Sequence, residues 1–281
     1  MKQYRLTSQQ ISDYGNYLRG EERSIGTIDK YLRDTTAFAC WLNGRNVTKE
    51  RAAEWKAYLL EQEYAPVTVN AMLSAVNGLF RFLGWDECRV KFLKIQRKLF
   101  RDANRELTRG EYDRLLASAK EQGRERLALL METICATGIR VSEVRYITAE
   151  AVREGRTEIA LKGKIRTILL PGKLCRKLEK YARQKKITSG ELFLTRSGRP
   201  MSRKQIWAEM KGVCRAAGVA PSKVFPHNLR HLFARCFYRV SRDVAKLADV
   251  LGHSSIETTR IYLISTGAEH ARTLDQLRLI S

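Results

Sequence analysis

Apolar positions along the first eighty residues recur at helical spacing. Ile11, Tyr14 and Leu18 share one face, and Ile28, Leu32, Phe38, Ala39 and Leu42 form a second stripe. Ala52, Trp55 and Leu59 mark a third. The clearest stripe is Val69, Met72, Leu73, Val76, Leu79, Phe80 and Leu83, which follows i, i+3, i+4, i+7. Four short amphipathic helices with short connections predict a small bundle.

The pattern changes after residue 105. Thr108 and Glu111 fit a capping box at a helix start, and RERLALLMETICATG is apolar enough for a helix buried in a larger core. EGRTEIALKGKIRTILLP alternates like two short strands around a Gly-containing turn, Glu158 to Leu161 and Arg166 to Leu170. Helices are expected again at KLCRKLEKYARQ and at SRKQIWAEMKGVCRAAG, where Ser202 and Gln205 form a second capping box. PHNLRHLFARCFYRV, DVAKLADVLG, SIETTRIYL and AEHARTLDQLRLI complete the chain. The fold class expected is mainly α with a small β-hairpin: a helical unit over 1–88, a linker over 89–105 and an α+β unit over 106–281.

Charge gives this architecture a partner. The 281 residues carry 52 Lys and Arg against 30 Asp and Glu, a net charge of +22. That excess points to a polyanion, most simply nucleic acid. It is uneven, with net +6 over residues 1–105 and +16 over the rest. Arg89, Lys91, Lys94, Arg97, Lys98 and Arg101 place six positive charges in a stretch with no acid, suited to tracking a phosphate backbone. No apolar run approaches 18 residues, so no membrane span is expected. The start, MKQYRLTSQQ, lacks an apolar signal core, so a cytoplasmic, nucleoid-associated protein is expected. Six scattered cysteines without a C-x-x-C pair read as reduced thiols.

Four segments of the second unit hold the candidate chemistry. ATGIRVSEV offers Arg140 and Glu143, and ALKGKIRT offers Lys162 and Lys164. PHNLRH offers His227 and Arg230, which share a face at i, i+3, and LGHSSIETTRIY offers His253 and Tyr262. Taken singly, each has an ordinary structural explanation. Together, two arginines, a lysine and two histidines suit a phosphodiester in a pentacoordinate transition state. Guanidinium forks match its non-bridging oxygens, and fixed cations supply the largest stabilisation. A tyrosine can then act as nucleophile. With a pKa of about 10, roughly one phenol in a thousand is ionised at pH 7, and neighbouring cations stabilise the phenolate. A deoxyribose oxygen leaves poorly without a proton, so an acid such as Lys162 is needed. No metal-ligand spacing and no phosphate-binding G-x-x-x-x-G-K-[ST] loop is present, and no cofactor is expected.

TGIRVSE, the Lys-Gly hairpin, HNLRH and LGHSSIETTRIY, in that order, resemble the active-site boxes of the tyrosine recombinase (phage integrase) family. The helical first unit resembles that family's SAM-like core-binding domain, and the chain is similar in size to the short Xer-like members. The resemblance implies that Arg140, His227, Arg230 and His253 bind and activate the scissile phosphate. It implies Lys162 as general acid, Tyr262 as nucleophile forming a 3′-phosphotyrosyl link, and Glu143 as support. It implies double-stranded DNA with inverted-repeat sites as substrate, and no metal or ATP. It also implies a homo-tetramer working through a Holliday junction, docked through the segment 268–280 by Ala271, Leu274, Leu277 and Ile280. A partner recombinase or directionality factor would fit the same scheme.

Two departures matter. The hairpin reads one residue shorter than the family pattern, so Lys164 competes with Lys162 for the acid role. The stretch after Tyr262 does not resemble the usual Xer ending, which favours a mobile-element integrase. Three other classes compete. Read alone, DVAKLADVLGHSSIETTRIYL passes for a helix-turn-helix with Gly252 in the turn, but a DNA binder without chemistry leaves Arg140, Lys162 and the His227/Arg230 pair unexplained. A type IB topoisomerase would share the tyrosine chemistry, but not the core-binding bundle or the docking segment. An RNA-binding protein would call for aromatic-basic strands of the RNP kind, which are absent.

Overall fold

A computed structural model describes residues 4–95, 103–161, 164–262 and 275–276. The chain divides into two compact units, Met1–Arg97 and Lys98–Ser281.

The first unit is the four-helix arrangement that the apolar stripes predict. Its helices are α1 (Ser8–Gly20), α2 (Ile25–Leu42), α3 (Lys49–Glu61) and α4 (Pro66–Phe82). Three of the four starts have a local cause. Thr7 and Gln10 close a capping box on α1, Thr48 caps α3, and Pro66 opens α4, where a missing N–H costs nothing. The core is aromatic. Phe38 of α2 meets Trp55 edge-on at 5.0 Å and Phe80 at 5.7 Å.

Residues 89–95 lie against this unit. Asn77 is buried on α4 and pairs with both backbone groups of Val90, at 2.9 and 3.1 Å. Two turns earlier on the same helix, Asn70 pairs in the same way with Leu93, at 2.9 and 2.8 Å. The two amides substitute for a neighbouring strand and satisfy peptide groups that would otherwise lose water. Of the six basic residues of the expected linker, Arg89 pairs with Asp86 at 2.7 Å, and Lys91 and Lys94 are exposed. Arg97, Lys98 and Arg101 lie outside the described residues.

The second unit begins with α5 (Arg109–Glu121), whose Thr108–Glu111 capping box forms, and α6 (Glu125–Thr137). Leu127, Leu130, Met131 and Ile134 of α6 are all buried in the main core. A 3₁₀ segment (Val141–Tyr146) and α7 (Ala149–Glu154) lead into β1 (Arg156–Leu161) and β2 (Lys164–Leu169). These strands pair antiparallel from Arg156↔Leu169 to Leu161↔Lys164, a longer hairpin than the alternation alone suggests. Its inner face carries Ile159 and Ile168 into the core. Then come α8 (Gly172–Gln184), α9 (Arg203–Lys211), α10 (Pro226–Ser241), α11 (Val244–Leu251) and α12 (Ile256–Arg260). The helix expected over SRKQIWAEMKGVCRAAG stops at Lys211, and residues 212–218 are turns ending at Gly218 in the left-handed region, φ +60°. All six cysteines are free, and Cys40 is exposed rather than packed in a core.

Candidate active site

The site is built where three chain reversals meet. The first is the end of α6. Gly138 takes φ +65°, and a Cβ there would collide with the Phe233 ring of α10. Only glycine satisfies both demands. The chain then extends through Ile139 to Arg140, the N-cap of the 3₁₀ segment. The Arg140 backbone N–H donates to Glu143 Oε2 at 2.7 Å, and its Nη1 donates to Oε1 at 2.9 Å. Nη2 reaches toward the Gly252 carbonyl at 3.4 Å.

The second reversal is the hairpin. Arg166 of β2 pairs with Glu143 Oε2 and donates from Nη1 to the Val250 carbonyl at 3.2 Å. Its Nε is buried and unpartnered among the described residues. Burial lowers its pKa, an effect the Glu143 carboxylate opposes. Glu143 is 1% exposed and is held between the two guanidinium groups. Lys162 lies outside the described residues, as does the side chain of Lys164, which begins β2.

The third reversal is the α11–α12 corner. Gly252 ends α11 at φ +63°, and a Cβ would run into the Arg166 side chain. His253 follows. Its Nε2 lies 3.0 Å from Arg230 Nη2, and its Nδ1 lies 2.8 Å from Thr259 Oγ1. A guanidinium only donates, so Nε2 accepts and the ring proton sits on Nδ1, facing the buried Thr259 hydroxyl. Burial first, then Arg230, Arg140 and Arg166, push the His253 pKa down to about 4.

Arg230 occupies the centre at 2% exposure. It donates to the Gly138 carbonyl and, at 2.7 Å, to the Leu251 carbonyl. Burial lowers its pKa, and a side-chain hydrogen bond to Tyr262 works against that effect. A buried charge needs such partners, because an unpaired one costs several kcal/mol, roughly 3–5 by loss of a partner. One turn earlier on α10, His227 keeps an exposed edge. Enough of its ring is covered, and Arg230 and Arg140 lie close enough, to lower its pKa as well. Tyr262 closes the site at 4% exposure. Its ring stacks on His253 at 5.7 Å between centroids and lies 6.1 Å from His227. Behind it a small cluster of Ala234, Leu247 and Leu251 packs against its ring.

Five of the six candidate catalytic side chains are therefore gathered around one point, with Glu143 beneath them. Arg140, His227 and Arg230 also line an open cleft of about 560 Å³, together with Trp207 and Phe225. Three residues in contact with the site escaped the sequence reading: Arg166, Thr259 and His231, whose ring meets the Tyr262 ring edge-on at 4.3 Å between centroids. Arg166 sits in the quoted hairpin but has no spacing that marks it as buried, and Thr259 is one of two adjacent threonines, Thr258 and Thr259, with nothing to distinguish them.

Residues 105–269 match the phage integrase family, and residues 11–87 match its N-terminal SAM-like domain. The tyrosine recombinase XerD of Xanthomonas campestris is 31% identical over 274 residues, covering 88% of this chain and 84% of the relative. The chain belongs to the phage integrase family. It is a tyrosine recombinase, an enzyme of site-specific DNA cleavage and rejoining. The tyrosine recombinase XerA of Pyrococcus furiosus is 28% identical, covering 100% of this chain and 98% of the relative. The fold is shared with lambda integrase, solved as a dimer bound to a COC′ core site, at 17% identity and TM-score 0.74 over 92% of this chain and 95% of that one. The same integrase solved as a tetramer on a Holliday junction gives 18% identity and TM-score 0.71, over 90% and 76%. Among the described residues of this recombinase, no helix is long and apolar enough to cross a membrane.

Proposed function

We propose that Tyr262 is the nucleophile of this recombinase and that Arg140, Arg230, His227 and His253 hold the scissile phosphate. The convergence of three side chains carries this reading: Arg230 and His253 hydrogen-bonded at 3.0 Å, and the Tyr262 ring stacked on His253. In the proposed reaction the phenol oxygen attacks phosphorus and the bond to the 5′ oxygen breaks. His227, neutral at pH 7, has the lone pair to take the phenol proton. A lysine of the hairpin protonates the leaving oxygen; Lys162 is favoured and Lys164 is the alternative. The 3′-phosphotyrosyl link conserves the bond energy, and a 5′-hydroxyl from a second strand reverses the step. The charge of the transition state is met by side-chain cations, so the proposed chemistry calls for neither a metal nor ATP.

The substrate proposed is duplex DNA with inverted-repeat sites. The helical unit, the basic stretch from Arg89 to Arg101 and the catalytic unit each contribute positive charge to it. Assembly as a homo-tetramer is supported by the lambda integrase tetramer on a Holliday junction; docking through residues 268–280, which apart from 275–276 lie outside the described residues, is proposed from the resemblance alone. The test is a nicked duplex that traps the covalent intermediate. Wild type should form a denaturant-stable protein–DNA adduct, with or without EDTA, and Tyr262→Phe should bind the duplex and form none. An adduct with Tyr262→Phe would remove Tyr262 from the role.

A further inference from the structure

His231 has no part in the mechanism above, yet of the three histidine rings around Tyr262 its ring lies nearest. It sits one turn beyond His227 on α10, and the two rings meet edge to face, centroids 4.5 Å apart at 83°. It meets the Tyr262 ring in the same manner at 4.3 Å and 62°. His253 lies at 5.7 Å and His227 at 6.1 Å from that ring. Among the described residues no hydrogen bond engages either nitrogen of His231.

Other contacts hold the phenol: its face stacks on His253, nearly parallel at 14°, and Ala234, Leu247 and Leu251 pack behind it. To these the His231 ring adds an edge contact, the shortest ring-to-ring approach that any of the three histidines makes to the phenol. We propose that His231 is a positioning residue for Tyr262, its ring walling the phenol and fixing the angle at which the hydroxyl oxygen meets phosphorus. The proposal rests on Tyr262 being the nucleophile. Burial first, then His227 and Arg230, bring the His231 pKa down to about 4, which makes it a weak base, so its role is argued from packing rather than proton transfer. Truncation would open an imidazole-sized space beside the nucleophile while leaving the phosphate ligands in place.

The experiment uses the full-length protein on the nicked duplex. His231→Ala should leave the DNA Kd within about twofold and slow single-turnover adduct formation by about 10- to 100-fold, the range expected from a misaligned attacking group. His231→Phe, which keeps a ring edge there, should recover most of that rate. A second arm separates the nucleophile from the phosphate site. In a Tyr262→Phe background, hydrogen peroxide supplies the attacking oxygen, the phosphorus bond to the 5′ oxygen breaks, and a 5′-hydroxyl strand is released. Here adding His231→Ala should change nothing. Equal slowing in this arm would mean that His231 acts on the phosphate ligands, and would overturn the proposal. So would wild-type adduct formation by His231→Ala, or failure of His231→Phe to recover. An adduct from Tyr262→Phe itself would instead overturn the assignment of the nucleophile, and His231 positioning with it.

Discussion

Replacing Glu143 by Gln tests the whole architecture of the site. The carboxylate accepts from the Arg140 backbone, from the Arg140 guanidinium at 2.9 Å and from Arg166. The two cations are not equally dependent on it. Arg140 has a side chain 39% exposed, so water screens its charge and its pairing is worth at most about 1 kcal/mol. Arg166 is 14% exposed with an unpartnered Nε, so it loses its only anionic partner among the described residues in a largely dry position. Stranding a buried charge costs about 3–5 kcal/mol, and the lower end applies because the Val250 carbonyl still accepts from Nη1. A loss of about 3 kcal/mol corresponds to a fall in Tm of roughly 6–12 °C for a unit of this size. Calorimetry of Glu143→Gln reads that shift in the transition of the catalytic unit. Adduct formation on the nicked duplex should fall with it, because Arg140 loses the contact that aims it. The double variant Glu143→Gln/Arg166→Met removes both charges and should recover much of the stability, as apolar replacements of buried ion pairs do, without recovering cleavage. A Glu143→Gln protein with wild-type Tm would refute the claim that this carboxylate holds the two arginines.

Four further outcomes follow from the geometry. Thr259→Val removes the acceptor for His253 Nδ1–H and should slow adduct formation about tenfold at unchanged DNA affinity, as loss of a hydrogen bond of roughly 1.5 kcal/mol implies. Asn77→Ala leaves both peptide groups of Val90 without partners, and denaturant unfolding should show a loss of about 2–3 kcal/mol in the helical unit. Gly252→Ala forces a Cβ into Arg166 at a positive φ and should reduce both Tm and cleavage, whereas alanine at the exposed, unobstructed Gly110 should reduce neither. The pH prediction has a definite sign. His231 and His253 fall from 6.5 to about 4 in the folded protein, so the unfolded chain binds more protons between those values. Stability should be unaffected by them above pH 6.5 and decline as pH drops from 6.5 toward 4. Tm measured from pH 7.5 to 5 reads this, and His231→Phe should flatten the slope.

Much of this was legible in the sequence. The bundle was legible because α1 to α4 each bury one stripe in one or both of two core clusters, so the helical period survives in the residues themselves. Both capping boxes were legible for a similar reason: Thr108 with Glu111 and Ser202 with Gln205 are local hydrogen-bond pairs, complete within four residues. The end of α9 was not. KGVCRAAG keeps apolar residues at near-helical spacing because Val213, Cys214 and Ala217 are buried, but they enter the core from a turn rather than a helix. Periodicity reports burial, and burial does not require the helix to continue.

The site divides along the same line. Arg140, His227, Arg230 and His253 lie near local signals: a Thr-Gly break, a helix start with Pro at its first position, a Leu-Gly corner. Those signals are visible because chain reversals and helix starts need particular residues; Tyr262, beyond α12 and nine residues after His253, was legible through the family resemblance instead. Arg166, Thr259 and His231 act by contact across the fold. Arg166 is 23 residues from the carboxylate it pairs with, and His231 is separated from Tyr262 by all of α11 and α12. Nothing local distinguishes Arg166 from a solvated strand arginine. What distinguishes it is Gly252, which must lack a side chain for Arg166 to pass beneath the His253 corner. That glycine had a sufficient local explanation as the C-cap of α11. The second demand on it, a close approach from another strand, appears only when the hairpin and the corner are brought together. A residue that satisfies one local rule can therefore hide a long-range constraint, and here that constraint joins the hairpin bearing the proposed acid to the histidine that stacks on the proposed nucleophile.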